Sequence, residues 1–387
     1  MASSTSLRLL ITVMMLLFHC SSAVALDRIA CQFPTPDPLA GCPAGTLLVG
    51  PPSTGAPFSS IQSAIITIPN DTTSYTVLIL PGTYTEQVNI TRPGPLTLLG
   101  QTDVPTNQSY NAVTVAWAAV AGPSDNARTS TLTVAPPRGS SMGSTDFRAY
   151  NIDFVNDYAP YSDTPSLAID ISYANAGFYY CAFYSYQDTI YIGTLGNSYM
   201  YSSTIAGQTD FLFGYGTLWI QSSILSLRSC GGGITAWKGT NTTFDNMYGV
   251  YIHDSAVLPE NATVAAEEVG KCALGRPWNA QHRSLFARTY LSPEIRASGY
   301  IPWQETDPRI DYNTTMAEYQ TYGPGFNLTG RLDAGVEFNL TQGPLTAHPI
   351  LTEEEYISGG YSSPETIFQD DQGTFGYTGW IDRTPWL

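Results

Sequence analysis

From about residue 75 the chain breaks into short β-rich apolar runs separated by Gly, Asn, Asp and Pro. They are Tyr75 to Leu80, Leu96 to Leu99, Ala112 to Trp117, Thr131 to Ala135, Phe147 to Val155, Leu167 to Ile171, Phe178 to Tyr184, Thr189 to Ile192, Phe211 to Phe213 and Thr217 to Leu225. Each run predicts a strand, and no helical pattern of useful length separates them, which disfavours βαβ units. Similar runs recur at about twenty residues, the spacing of a solenoid. A parallel β-helix in which each coil contributes one rung fits best, with a β-sandwich as the alternative. Two short helices are expected at the ends. Ser59–Ile65 has serine at its N-cap, and Thr352-Glu353-Glu354-Glu355 has the form of a capping box. The resulting organisation is a leader over 1–25, a loop-like lead over 26–58, one all-β solenoid over 59–345 and a tail over 346–387 that packs on the solenoid and covers its edge.

Composition supports this picture. The 387 residues are 43% hydrophobic and 12% charged, enough for a large core and too apolar for a disordered chain. Glycine (34), proline (27) and tyrosine (25) are abundant while lysine occurs only as Lys238 and Lys271, so long Lys-rich helices are not expected. With 32 acidic against 16 basic residues the formal charge is -16, which argues against nucleic acid and against an anionic membrane surface as partners.

Arg8, the apolar run Leu9 to Phe18 and Ala23-Val24-Ala25 together read as a secretory leader with an A-x-A cleavage pattern, too short to span a membrane. The mature chain, beginning at Leu26, then has 15 basic and 32 acidic residues and a charge of -17. Sequons at Asn70, Asn89, Asn107, Asn241, Asn261, Asn313, Asn327 and Asn339 fit an extracellular glycoprotein, expected to be a monomer. Of five mature cysteines, Cys31 and Cys42 are close enough in sequence to staple the lead, Cys230 with Cys272 is a second candidate pair, and Cys181 lies in an apolar run as a free core thiol.

Mature histidines number three, His253, His282 and His348, and none lies near a G-x-S-x-G elbow or a paired metal spacing. The candidate chemistry therefore falls to carboxylates. Asp188 in Tyr186-Gln187-Asp188-Thr189-Ile190 and Asp210 in Thr209-Asp210-Phe211-Leu212-Phe213-Gly214 are 22 residues apart, each among aromatic and apolar neighbours. Stacked one coil apart, at about 4.8 Å, two such groups do not both ionise freely, and one serves as an acid while the other serves as a nucleophile. The pattern equally fits two turn aspartates bonded to backbone. Leu274-Gly275-Arg276-Pro277-Trp278 offers a guanidinium for bidentate pairing beside a ring able to stack on a sugar, or an ordinary surface turn.

These motifs, with Gly82-Thr83-Tyr84-Thr85-Glu86 before them and weaker likeness at Asn151 to Asn156, Ile234-Thr235-Ala236, Thr289-Tyr290-Leu291 and Tyr322 to Gly325, resemble the pectinesterase family in order and spacing. The composition is most similar to secreted fungal members. The resemblance implies a right-handed, single-stranded parallel β-helix, no metal or other cofactor, and hydrolysis of galacturonate methyl esters in pectin. It also implies roles: Asp210 as nucleophile, Asp188 as acid and then base, Gln187 as oxyanion donor and Arg276 as the group orienting Asp210. Tyr186, Phe211, Trp278 and Trp303 are the residues expected to line the sugar cleft. One position departs from the family. A second oxyanion glutamine usually lies 22 residues before the glutamine of the QDT motif, where this chain has Pro165, which offers no donor. Ser166 or a water is the expected substitute. Alternatives at this stage are a catalytically weakened pectin-binding relative or another pectin-active β-helix enzyme, a lyase or a polygalacturonase.

Charge supplies a first prediction. Methylated pectin is nearly neutral and its product is a polyanion, so a chain at -17 repels product more than substrate. Raising salt is expected to increase affinity for de-esterified pectin, measured by calorimetry or retention on a pectate column; an affinity independent of salt contradicts this.

Overall fold

The computed structural model describes residues 26–122, 125–140, 142–158, 161, 164–239, 247–337, 349–368 and 378–386. The leader, Asn241, Asn339 and His348 lie outside them. The described strands form three parallel sheets of ten, seven and eight strands, wound as a right-handed parallel β-helix. One representative coil runs Asn175–Tyr179 in the ten-stranded sheet, Ala182–Tyr184 in the eight-stranded sheet and Ile190–Ile192 in the seven-stranded sheet. It then returns to Asn197–Tyr201, which pairs in parallel register with Asn175–Tyr179.

In-register stacking puts like residues on like. Ile169, Ile190 and Leu212 align inside the coil, as do Phe178, Met200, Ile220 and Ile252, and all are buried. Asn197 Nδ2 donates to Asn175 Oδ1 at 2.9 Å, so the interior also carries a satisfied amide step. Coil length is uneven. Asn197 pairs with Thr217, an offset of 20, but Thr217 pairs with Gly249, an offset of 32, because the outward turns differ in length.

Several expected strands prove to be two. Phe147 to Val155 is Phe147–Tyr150 and Ile152–Asn156; Phe178 to Tyr184 is Asn175–Tyr179 and Ala182–Tyr184; Thr217 to Leu225 is Thr217–Gln221 and Ile224–Leu227. Between the halves one residue adopts left-handed geometry: Asn151 (φ 54), Tyr180 (φ 56), Ser202 (φ 47), Ser222 (φ 52) and, further on, Asp254 (φ 50). Such a conformation costs a non-glycine residue about 1–2 kcal/mol. A hydroxyl ladder just after these corners offsets part of that cost. Cys181 N–H donates to Ser203 Oγ (3.2 Å), Ser203 N–H to Ser223 Oγ (3.0 Å) and Ser223 N–H to Ser255 Oγ (3.0 Å).

Both expected helices form. Ile61–Ile65 has Ser60 as N-cap, and Glu86 of the Gly82 to Glu86 motif accepts from Ser60 Oγ and the backbone N–H groups of Ile61 and Gln62, tying the helix to the coil. Glu353–Ser358 carries the full capping box on Thr352 and Glu355. The tail packs on the outer face of the ten-stranded sheet, where Tyr356 stacks on Tyr319 at 3.9 Å and Tyr150 donates to Asp382 at 2.7 Å. Cys31–Cys42 and Cys230–Cys272 are disulfides and Cys181 is a buried thiol. The sheet starts earlier than expected, since Leu47–Val49, inside the loop-like lead, pairs with Val77–Ile79.

The helix Leu328–Glu337 closes the last coil. Its Arg331 is fully buried against Glu318, with Nε to Oε1 at 2.6 Å, while Nη1 donates to the Arg296 and Ala297 carbonyls and Thr321 Oγ1 donates to Glu318 Oε2. Replacing Arg331 by Met strands a buried carboxylate, a loss of about 3–5 kcal/mol. Chemical denaturation is expected to show that loss, with part of it recovered in Arg331→Met/Glu318→Gln; an unchanged midpoint for the single variant contradicts the assignment.

Candidate active site

The seven-stranded sheet presents one open face. Ile190 pairs with Leu212 at an offset of 22, so Asp188 and Asp210, each two residues earlier, occupy equivalent corners of adjacent coils. Both corners are left-handed, with φ 62 at Asp188 and φ 48 at Asp210. Asp188 N–H donates to Thr209 O (3.1 Å) and Asp210 N–H to Gly233 O (2.7 Å), so these are turn aspartates whose side chains are nonetheless adjacent. The same geometry recurs at the other coil corners, so it belongs to the turn and not to the chemistry.

Arg276 follows the strand Ala273–Gly275 and forms a bidentate pair with Asp210: Nη2 to Oδ2 at 2.6 Å and Nε to Oδ1 at 2.9 Å. Gly233 N–H donates to the same Oδ1 at 3.0 Å. A Cβ at Gly232 would lie 2.5 Å from Asp210 Oδ1 and 2.7 Å from Arg276 Cζ, so only glycine lets the pair close. The Cys230–Cys272 disulfide joins the two segments that carry Gly232 and Arg276. Trp303 lies against the guanidinium, 4.2 Å from Arg276 Cζ to the ring centre, with Arg309 at 4.5 Å.

Asp188 has no such cation of its own. Burial raises its pKa well above the ordinary carboxylate range, the charge of Asp210 raises it further, and Arg276 and the Asn126 amide oppose the shift. Asn126 Nδ2 donates to Asp188 Oδ2 at 3.2 Å. The two carboxyls are thus differentiated by environment, one ion-paired and one buried and proton-retaining.

A cavity of about 220 Å³ is lined by Asn126, Gln187, Asp188, Asp210, Phe213, Ala236, Arg276, Trp278 and Trp303. It brings together six of the eight residues singled out from sequence. Phe211 is not there. Its side chain is fully buried inside the coil, because the strand and its alternation begin only at Leu212, which also faces in, while Phe213 faces the cleft, stacked on Tyr191 at 4.8 Å. Tyr186 does not line this cavity either. It lies two residues before the corner, with its ring 4.6 Å from the guanidinium of Arg228. Ser166 is no substitute donor: its hydroxyl is buried beside Ser185 Oγ at 3.2 Å.

Sequence reading missed Asn126, Phe213 and Lys238, whose Nζ sits 3.8 Å from the centre of the Trp278 ring. A strand that starts two residues past the left-handed corner, with its first residue facing in, is the signal that selects Phe213; Asn126 comes from a distant loop and left none. His253 and His282 are buried and hydrogen-bonded, and burial pushes both down to about 3, so they are neutral packing groups. A larger cavity, about 520 Å³, lies by the lead, where Asp146 and Arg148 already pair with each other.

The family model described as Pectinesterase matches residues 48–358. A pectinesterase of Aspergillus aculeatus is 31% identical over 293 residues, covering 73% of this chain and 82% of the relative. A probable pectinesterase A of Aspergillus flavus is 28% identical over 344 residues, covering 88% and 90%. Among solved structures, the pectin methylesterase of Aspergillus niger in deglycosylated form matches with TM-score 0.64 at 25% identity, over 75% of this chain and 89% of that one.

A buried acid with a raised pKa binds its proton more tightly folded than unfolded. Its stabilising contribution is complete below the unfolded value, about 3.9, and is lost as pH rises toward the folded value, by about 1.4 kcal/mol per pH unit in between. Asp188→Asn is therefore expected to melt higher than the wild-type protein at pH 7 and to match it near pH 3. A variant less stable at pH 7 contradicts the buried-acid assignment.

Proposed function

This chain belongs to the pectinesterase family and is a carboxylic ester hydrolase, and from that premise we propose that it removes methyl esters from galacturonate units of pectin with Asp210 as nucleophile and Asp188 as acid and base. The observation that carries the assignment is the differentiated carboxylate pair, Asp210 held by Arg276 and Asp188 buried beside it.

The steps balance on those groups. An Asp210 oxygen attacks the ester carbonyl carbon, and the C=O electron pair moves to oxygen, where the Gln187 side chain donates. Collapse of this intermediate expels the methoxy group, which takes the proton of Asp188 and leaves as methanol, giving an acyl anhydride on Asp210. Asp188, now a carboxylate, removes a proton from water, whose hydroxyl adds to the substrate acyl carbon and releases Asp210. Arg276 fixes the attacking carboxylate, and the ring of Trp278 and that of Phe213 supply apolar faces for the sugar. No step asks for a cofactor.

The proposed organisation is one catalytic solenoid that begins at the strand Leu47–Val49 and ends before the tail, acting as a monomer outside the cell. Two disulfides and the A-x-A leader support that location, and no helix among the described residues is long and apolar enough to cross a membrane. Pro165 gives specific support to a second reading, a pectin-binding relative with little turnover, which predicts binding without methanol release.

Methanol release from highly methylated pectin tests the proposal. The wild-type protein is expected to release it, Asp210→Asn to release none, and Asp188→Asn to be slower by about 10²–10⁴-fold. Because Asp188 must be protonated to act as acid, kcat/KM is expected to fall on the alkaline side, above the ordinary carboxylate range, as that proton is lost. Full activity in Asp210→Asn refutes the nucleophile.

A further inference from the structure

We propose that the side-chain amide of Asn126 is the second hydrogen-bond donor to the oxyanion, occupying the role that Pro165 leaves empty. This rests on the esterase reading above. The starting observation is a backbone one. Ser166 N–H donates to Gln187 O, and Ala168 and Ile169 N–H both donate to Thr189 O, so the coils are offset by 22 residues up to this local bulge and by 21 after it. Pro165 therefore lies one coil below Gln187, with no donor on either side chain or backbone.

The loop carrying Asn126 is built over that position. Ala121 N–H donates to Pro165 O at 2.8 Å. Asn156, almost fully buried, donates through Nδ2 to Ala119 O (2.9 Å), Thr129 O (2.9 Å) and Leu167 O (3.1 Å), which ties both ends of the loop to the strand entering the site. Thr129 Oγ1 donates to Asn126 O at 2.8 Å and accepts from Leu167 N–H at 2.9 Å. A side-chain amide so anchored is preorganised, which is what an oxyanion donor requires.

Asn126 lines the same cavity as Gln187, Asp188 and Asp210. An amide nitrogen carries two hydrogens. One goes to Asp188 Oδ2 at 3.2 Å; the other serves the ester oxygen as it becomes an oxyanion. The first contact has its own consequence: with Oδ2 accepting from Asn126, the acidic proton of Asp188 resides on Oδ1, from which it passes to the departing methoxy oxygen.

The test compares wild type, Asn126→Ala, Pro165→Gln and the double variant by methanol release from methylated pectin across pH, with melting temperature as the folding control. Asn126→Ala is expected to lower kcat by about 10²–10³-fold at every pH with little change in KM. Pro165→Gln in that background is expected to restore part of the loss. Asn126→Ser, too short to reach the oxyanion, gives the same reading if the alanine variant does not fold. Wild-type rates in Asn126→Ala overturn the inference, as does a change confined to a shift of the alkaline limb, which would mean Asn126 acts only through Asp188. Methanol release by Pro165→Gln but not by wild type also overturns it while the esterase reading stands. No release from either sinks the esterase reading itself.

Discussion

Parallel, in-register stacking is the constraint on which this molecule depends. Each coil must place its strands directly above those of the coil below, and between the ten- and eight-stranded sheets the chain turns, in most coils, in one or two residues. It does so through single left-handed corners, and the same geometry that aligns Ile190 with Leu212 puts Asp188 beside Asp210. Two carboxyls are thereby forced together on a buried face, where only one of them has a cation. The fold thus imposes the asymmetry that the proposed chemistry uses.

Much of the surrounding structure holds the ion pair in place. Gly232 leaves room for it, Gly233 N–H completes the shell of Asp210, Trp303 covers Arg276, and a disulfide links the segments that bring them in. Asp188 is instead left with burial, a like charge and one amide, all on a strained corner. Stability is spent at that residue and recovered in the apolar rows inside the coils, in the hydroxyl ladder and in the Arg331–Glu318 clamp at the far end.

The architecture was legible because period, turn residues and short strands all pointed to a solenoid. Strand boundaries were not. A corner filled by Tyr180 or Ser222 rather than glycine looks like continuous strand, since left-handed geometry in those residues comes from stacking and not from local preference. A strand that begins only at Leu212 hid that Phe213, not Phe211, faces the cleft. Leu328–Glu337 was obscured by Gly330 and Gly335 and is held by a buried ion pair that has no sequence signature. The paired aspartates carried a signal because their spacing equals one coil, and Arg276 because it stands in the Leu274 to Trp278 motif. Asn126 carried none, because its loop reaches the site from a coil whose position the spacing does not reveal.

The most direct test of the account is the protonation state of Asp188 in the intact protein. Infrared difference spectra between wild type and Asp188→Asn at neutral pH isolate the carbonyl band of a protonated carboxyl. The account predicts such a band in the wild type, absent from Asp188→Asn, whose titration in Asp210→Asn moves to lower pH because the neighbouring negative charge is gone. A wild-type spectrum with no protonated carboxyl at this position would contradict it.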